Sequence, residues 1–114
     1  METSQQGDPV LKAGPLEVRL EDRTVLADQR PLPLTVREFQ ILTALVTRPE
    51  RVVSREELYE AVWHGEMRDH DRSVDVYVSR LRSKLERALP HWAYIRTHIG
   101  FGYCFSPRPS AGEW

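Results

Sequence analysis

Cysteine and long apolar runs are nearly absent from this sequence, and each absence excludes a class of protein. The one cysteine, Cys104, cannot form an internal disulfide, and the four histidines have no metal-ligand spacing. Apolar runs are only a few residues long, against the roughly 20 that span a bilayer, and the first ten residues lack a secretion-signal pattern. We therefore expect a cytoplasmic protein with no metal, no cofactor and no membrane partner.

An excess of one charge is also missing. The 114 residues carry 16 Lys and Arg against 17 Asp and Glu, a net charge of −1, so the chain does not coat nucleic acid by charge alone. No acid pair in a catalytic setting, no glycine-rich phosphate loop and no nucleophile elbow is present in the sequence. The length fits one domain, and we expect no catalytic residues and no enzymatic activity.

Both ends of the chain are predicted to lie outside the folded domain, which we expect over residues 10–106. Residues 1–9 are polar, contain glycine and proline and have no apolar periodicity, which predicts a disordered tail or the remnant of a linker. Residues 107–114 contain two prolines and a glycine, which disfavour both helix and strand. This C-terminal tail is therefore predicted to fray.

The first part of the domain predicts a small sheet and a helix. Apolar residues alternate over 16–34 around two charged turns, a pattern typical of an antiparallel meander. Thr35 and Glu38 have the spacing of a capping box, so a helix is expected to begin there and to end before Pro49.

Two further helices and a hairpin complete the pattern. Ser54 and Glu57 form a second capping box, and a third helix is predicted from about Asp71 to Leu89. Its apolar positions form one stripe, which must be buried: Val74, Val78, Leu81, Leu85 and Leu89. Two β-prone runs, 94–97 and 103–105, then flank a glycine-containing turn. Three helices followed by a hairpin is the element order of a winged helix-turn-helix, an α+β fold.

The outer face of the third predicted helix is basic and is the strongest functional signal. Opposite the apolar stripe lie Arg72, Val76, Ser79, Arg80, Ser83 and Arg87. Arginine can bond guanine bidentately, serine can bond a phosphate or a base edge, and valine can pack on a thymine methyl. Residues 72–103 hold six Arg and Lys against two acids, a local charge of +4 that leaves −5 on the rest. The alternative is an ordinary solvated helix face.

The sequence resembles the DNA-binding effector domains of OmpR/PhoB-type response regulators from about residue 16 to residue 105. The positions that match the family pattern are Leu34, Thr35, Glu38, Phe39, Ile41, Leu42, Arg51, Val52, Val53, Ser54, Arg55, Glu56, Leu58, Trp63, Arg72, Ser73, Val74, Asp75, Val76, Tyr77, Val78, Ser79, Arg80, Leu81, Arg82, Lys84, Leu85, Ile95, Thr97, Gly100, Gly102 and Tyr103. The resemblance implies a four-stranded N-terminal antiparallel sheet, three helices and a C-terminal hairpin wing. It further implies sequence-specific binding to double-stranded DNA, with the third helix in the major groove and the wing near the minor groove.

Carried over by position, the resemblance implies roles for individual residues. Arg80 and Val76 would contact base edges. Contacts to the DNA backbone or groove edge are implied for Arg55, Trp63, Arg72, Ser73, Tyr77, Arg82 and Tyr103, and Ser79 joins them as an exposed hydroxyl of the same helix face. The alternatives are that Trp63 and Tyr103 are core aromatics and that Arg82 only pairs with Asp75.

The wing departs from the family pattern. Its residues are Arg96, Thr97, His98 and Ile99, whereas many members carry an arginine at the position of His98 or Ile99 that inserts into the minor groove. We expect weaker minor-groove discrimination here, since Arg96 falls on the strand face opposite Thr97. The apolar tip also leaves open an alternative function, a winged helix that docks a protein through Ile99 and Phe101.

The resemblance also implies partners beyond DNA. The polar segment 64–71 matches the family's polymerase-contacting loop, which would place Glu66, Arg68 and Asp69 against the sigma or alpha subunit of RNA polymerase; a solvated turn is the alternative. In the family, a phosphorylated receiver domain drives dimerisation on tandem half-sites. A homodimer on DNA is therefore expected.

Overall fold

The structure, a computed structural model, describes residues 10–110. Its elements in chain order are β1 (Val10–Ala13), β2 (Leu16–Arg19), β3 (Thr24–Ala27), β4 (Arg30–Pro31), α1 (Val36–Val46), β5 (Val52–Ser54), α2 (Arg55–Trp63), α3 (Ser73–Ala88), β6 (Trp92–His98) and β7 (Gly102–Pro109). The predicted α+β winged helix-turn-helix fold is confirmed. The predicted tail over 1–9 and the last part of the C-terminal tail, 111–114, lie outside the described residues.

The N-terminal sheet has the antiparallel order β1-β2-β3-β4. Its inward face follows from the alternation, because Leu16 pairs with Ala27 and Val18 with Val25, and all four are buried. The meander predicted over residues 16–34 corresponds to β2, β3 and β4 of the structure. Strand β1 carries no comparable pattern, and only the resemblance implied a fourth strand.

Both capping boxes form as predicted, and α1 ends at Val46, before Pro49. Glu38 of the first box also bonds to another helix. Its carboxylate accepts a hydrogen bond from the Thr35 backbone N–H at 2.9 Å, which caps α1, and another from Lys84 Nζ of α3 at 2.7 Å. Burial raises the pKa of Glu38, but its bonds to Lys84 and Thr35 outweigh burial and lower the pKa below its ordinary value. One carboxylate thus starts α1 and ties α3 to it.

Helix α3 begins two residues later than predicted, at Ser73 instead of Asp71. The Asp71 carboxylate accepts the Ser73 backbone N–H at 2.9 Å, so Asp71 acts as a side-chain acceptor ahead of the helix and not as its first residue. The predicted apolar stripe is buried at all five positions, from Val74 to Leu89. None of the helices in the described range is long and apolar enough to cross a membrane.

The C-terminal sheet is larger than the predicted hairpin, with the order β5-β7-β6. Strand β5 was missed because it is three residues long and pairs with residues some fifty positions later, Val52 with Cys104. Strand β7 continues past the predicted boundary at 106, since it pairs with β6 as far as Pro109 opposite Trp92. Prolines are tolerated there because β5 pairs only with 102–104, which leaves the other edge of 107–109 unpaired.

Gly102 of β7 faces the backbone of β5 with no room for a side chain, and this predicts the effect of adding one methyl group. A Cβ at Gly102 would lie 2.0 Å from the Val53 carbonyl oxygen, a backbone atom that cannot rotate away, whereas a Cβ at Gly65 would meet nothing within 4 Å. Gly102→Ala should therefore destabilise the domain by about 1–3 kcal/mol or more. Urea unfolding monitored by tryptophan fluorescence measures this, with Gly65→Ala as the matched control. Equal midpoints for the two variants would contradict the packing.

Candidate nucleic-acid interface

The outward face of α3 is exposed in the structure, as predicted. Its exposed residues are Arg72, Val76, Ser79, Arg80, Ser83 and Arg87. Val76 is one of five large hydrophobic side chains that are exposed among residues 10–110, and it lies between polar neighbours. A 16-residue helix is about 24 Å long, so this face offers donors and one apolar group over several turns.

Arg80 is held by aromatic side chains and not by an acid. Its guanidinium lies 5.2 Å from the centroid of the Tyr77 ring, and within the described range it makes no ion pair. Tyr77 packs against Trp63 with ring centroids 5.7 Å apart, and Trp63 lies under the guanidinium of Arg37 at 5.2 Å. The Arg80 side chain is therefore steadied while its N–H donors remain available.

Trp63 and Tyr77, predicted as contacts to the DNA backbone, are half-buried members of this aromatic stack. Trp63 also stacks on Tyr59, at 5.0 Å between ring centroids. Arg37 fixes the far end by donating to the Val62 carbonyl at 2.9 Å. The stack supports Arg80 from behind, and the partly exposed edges of Trp63 and Tyr77 are the parts left for a ligand.

Asp75 joins three elements beside the helix face. Its Oδ1 accepts hydrogen bonds from Arg55 Nε of α2 at 2.8 Å and from the Tyr103 hydroxyl of β7 at 2.6 Å, and Arg72 Nε lies 3.5 Å from Oδ2. Burial raises the pKa of Asp75, but bonds from Tyr103 and Arg55 and the nearby positive charges outweigh burial and lower the pKa. The carboxylate thus stays charged, fixes Arg55 by a hydrogen bond and attracts the exposed Arg72.

Tyr103 lies between two arginines. Its ring centroid is 5.9 Å from the Arg55 guanidinium and 5.7 Å from that of Arg82, and the residue is only 6% exposed. Burial and the bond to Asp75 raise the pKa of the Tyr103 hydroxyl. Its predicted contact with a phosphate stays a prediction; in the unbound domain Tyr103 is a core aromatic that orders the arginines around it.

Arg82 bonds to the wing and not to Asp75. Its Nη2 donates to Thr97 Oγ1 of β6 at 2.8 Å, so the alternative that it only pairs with Asp75 is wrong. Because Thr97 points toward α3, its neighbour Arg96 points to the opposite face of the strand, as alternation predicted. Both strands of the wing are therefore bonded to α3, β6 through Thr97 and β7 through Tyr103.

The remaining predicted residues lie at the two ends of the interface. Ser73 is the first residue of α3, and His98 and Ile99 begin the wing turn. Between α2 and α3, the side chains of Glu66, Arg68 and Asp69 are exposed. Two residues of this loop adopt left-handed backbone conformations, His64 at φ 60° and His70 at φ 64°. Within residues 10–110 no three His, Cys, Asp or Glu side chains are grouped to hold a metal ion.

Sequence reasoning missed the central role of Asp75, which it treated only as a partner for Arg82. A signal was present, since Asp75 is one of only two acids among residues 72–103. An acid that stands alone within a basic segment is a good candidate for pairing with one of the nearby basic side chains. The sequence pattern did not indicate that its partners come from α2 and β7.

A helix with a buried stripe and a basic outer face, preceded by two helices and followed by a bonded hairpin, defines the class of winged helix-turn-helix domains. The family described as "Transcriptional regulatory protein, C terminal" matches residues 29–105. The chain belongs to this family, the OmpR/PhoB type, and the resemblance inferred from its motifs is confirmed.

Relatives of known sequence and structure agree with this assignment. The transcriptional regulatory protein SrrA of Staphylococcus aureus is 38% identical over 108 residues, 90% of this chain and 45% of SrrA, so the chain spans about half of that relative. The DNA-binding domain of CpxR from E. coli superposes with a TM-score of 0.78 at 30% identity, covering 86% of this chain and 96% of CpxR's. The Klebsiella pneumoniae RstA DNA-binding domain, solved in complex with the RstA box, gives 0.77 at 29%, covering 85% and 96%.

The Asp75 bonds predict a pH-dependent loss in Asp75→Asn. Because the folded pKa lies below the ordinary value of 3.8, the carboxylate stabilises the fold above that pH, and this contribution disappears as pH falls through the folded pKa. The variant should lose about 1–3 kcal/mol at pH 7, as expected for hydrogen bonds to a charged group. Urea unfolding at pH 7 and below pH 3.8 should show the deficit shrinking in acid. Asp22→Asn, on an exposed turn, is the control; a deficit that does not vary with pH would contradict the role of the charge.

Proposed function

We propose that this domain binds double-stranded DNA in a sequence-specific manner, with α3 in the major groove. The observation that carries the proposal is the exposed basic face of α3, where Arg80 pairs with no acid among residues 10–110 and Val76 is an exposed apolar group. Arg80 bonds a guanine edge and Val76 packs on a thymine methyl. The RstA domain, which has the same fold and is solved with its DNA box, supports this arrangement.

The residues around α3 hold the DNA backbone. Arg55, Arg72, Ser73, Ser79 and Arg82 supply donors to phosphates, and the rings of Trp63 and Tyr77 complete the groove contact. The buried Tyr103 takes part through the two arginines that it lies between. Bonds to Asp75 and Thr97 and the Tyr103 ring between them hold two of these arginines, Arg55 and Arg82, before binding. A preorganised set loses less side-chain entropy on binding.

The wider role we propose is transcription regulation in the cytoplasm, as the effector part of a two-component response regulator and without enzymatic activity. Two copies bind tandem half-sites as a homodimer on DNA. The family of the chain supports this role, as does its match to about half of SrrA, which leaves room in such regulators for a further domain. No cofactor is needed for DNA binding by these side chains.

Arg80→Ala tests the major-groove proposal. We expect it to cost about 1–3 kcal/mol on the preferred sequence and to relax selectivity at one base pair. The measurement is equilibrium binding to a pool of randomised duplexes at two salt concentrations, followed by sequencing of the bound fraction. Wild-type binding should weaken steeply with salt because phosphate contacts release counterions.

The matched control is Arg30→Ala, which removes an exposed arginine from β4 of the N-terminal sheet. It should leave both selectivity and salt dependence unchanged. Failure of wild-type protein to enrich any motif, including when two copies are covalently tethered, would refute DNA recognition. Equal losses in Arg80→Ala and Arg30→Ala would place base recognition elsewhere than α3.

The exposed loop between α2 and α3 is proposed as the contact with RNA polymerase. Glu66, Arg68 and Asp69 are exposed there, and none of them takes part in the α3 contacts described above. Reversing two charges, Glu66→Lys with Asp69→Lys, should reduce promoter activation several-fold by electrostatic mismatch while DNA binding is retained.

In vitro transcription from a promoter that carries the selected motif measures this loss. The control is Glu21→Lys with Asp22→Lys, the same charge change on the turn between β2 and β3. If the loop variant retains both activation and DNA binding, the loop is only a solvated turn.

A further inference from the structure

The tip of the wing is a tight turn that carries two apolar side chains into solvent. The Phe101 backbone N–H donates to the His98 carbonyl at 2.9 Å, which closes a four-residue turn. Gly100 occupies its third position with φ +84°, a conformation that favours glycine. Ile99 is 89% exposed and Phe101 72%, the two highest values among exposed large hydrophobics in residues 10–110.

This exposure is concentrated and not scattered. Single exposed apolar residues are ordinary, but here the two most exposed ones lie two positions apart on one turn. Among residues 10–110 nothing covers most of the surface of these two side chains, although His98 of the same turn pairs with Gly102 across the strands. The turn therefore displays apolar surface that is buried only when something else covers it.

The position of this turn relative to α3 is fixed by side-chain bonds. Arg82 of α3 donates to Thr97, the residue before His98, and Tyr103, which follows Gly102, donates to Asp75 of α3. Both strands are thus tied to α3 within a few residues of the tip. If α3 lies in the major groove, the tip is carried to the neighbouring minor groove as part of the same rigid surface.

The tip lacks the cation that reads a narrow minor groove. Residues 97–101 are Thr-His-Ile-Gly-Phe, without arginine or lysine, and Arg96 points away from α3. Narrow A-tract grooves attract arginine through their negative potential, and an isoleucine gains nothing from that potential. Apolar side chains in the minor groove act differently, because they enter between base pairs, unstack them partly and kink the duplex.

We propose that Ile99, backed by Phe101, is an apolar wedge that enters the minor groove beside the α3 site and selects deformable base steps. Pyrimidine–purine steps such as TA and CA unstack most easily, so the wedge favours them at one flanking position. This inference rests on the proposed DNA binding and adds a specificity element to it. The wing then reads the stiffness of DNA where an arginine would read its groove width.

The test uses the complete chain and duplexes that carry the motif selected from the randomised pool. Each flanking step is changed in turn between TA, CA and AA, and 2-aminopurine replaces an adenine at that step to report unstacking. Wild-type protein should prefer TA or CA over AA by roughly fivefold or more at one position, comparable with a typical base-pair preference. 2-Aminopurine fluorescence should rise at the same position on binding.

Three variants show whether Ile99 itself unstacks the base step. Ile99→Ala should lose the step preference and the fluorescence rise while the α3 motif is still selected. Ile99→Arg should move the preference toward AA-rich flanks, because arginine reads a narrow groove. Val36→Ala, which removes an exposed apolar residue at the start of α1, is the matched control and should change neither signal.

The outcomes also separate this inference from the proposed function. If no motif is enriched, DNA recognition itself fails. If the motif is enriched and depends on Arg80 but wild type and Ile99→Ala show the same flank preference and fluorescence, the wedge is overturned while α3 recognition stands. An equal loss of affinity on all flanks in Ile99→Ala also overturns the wedge. DNA binding that does not change in Ile99→Ala also overturns the wedge, and the apolar tip is then better explained as a contact for a protein partner.

Discussion

The α3 helix is buried along one side and solvated along the other, and α1, α2 and the two strands of the wing are placed with respect to this division. The buried side runs from Val74 to Leu85 without a polar interruption, so α1, α2 and β6 all pack against it. Two carboxylates beside it have specific partners, Glu38 in Lys84 and Asp75 in Arg55 and Tyr103. Unsatisfied, either carboxylate would cost the fold more than its bonds contribute.

A chain of net charge −1 presents a basic surface because its charge is unevenly distributed, with +4 on residues 72–103 and −5 on the rest. Within the domain, the largely buried Glu38 and Asp75 pair with Lys84 and Arg55, at 2.7 Å and 2.8 Å. Arg80, in contrast, lies against the Tyr77 ring and forms no ion pair with the acids of the described part of the chain. Aromatic support and acid support therefore have different results: an acid anchors an arginine and reduces its charge toward a ligand, whereas a ring anchors it and leaves the charge available.

The elements predicted correctly are those whose signals are local in the sequence. The capping boxes at Thr35 and Ser54 and the stripe of α3 each lie within a few turns, and all three form as predicted. Strand β5 and the bonds of Asp75 depend on residues 20 to 50 positions away, which periodicity does not report. The sequence analysis also failed to predict that β7 extends to Pro109. The cost of a proline in a strand depends on whether a neighbouring strand pairs with that edge, which the sequence pattern does not report.

The order β5-β7-β6 has a consequence for synthesis of the domain. The middle strand, β7, is translated after both of its neighbours. The edges of β5 and β6 therefore stay unpaired until residues 102–109 leave the ribosome. Pairings such as Val52 with Cys104 are formed late and close a long loop, which slows folding relative to local contacts. A ribosome that stalls within α3 holds a chain with an unmatched strand edge, and such edges pair readily with other chains. The eight residues of β7 therefore decide whether a nascent chain becomes a closed domain.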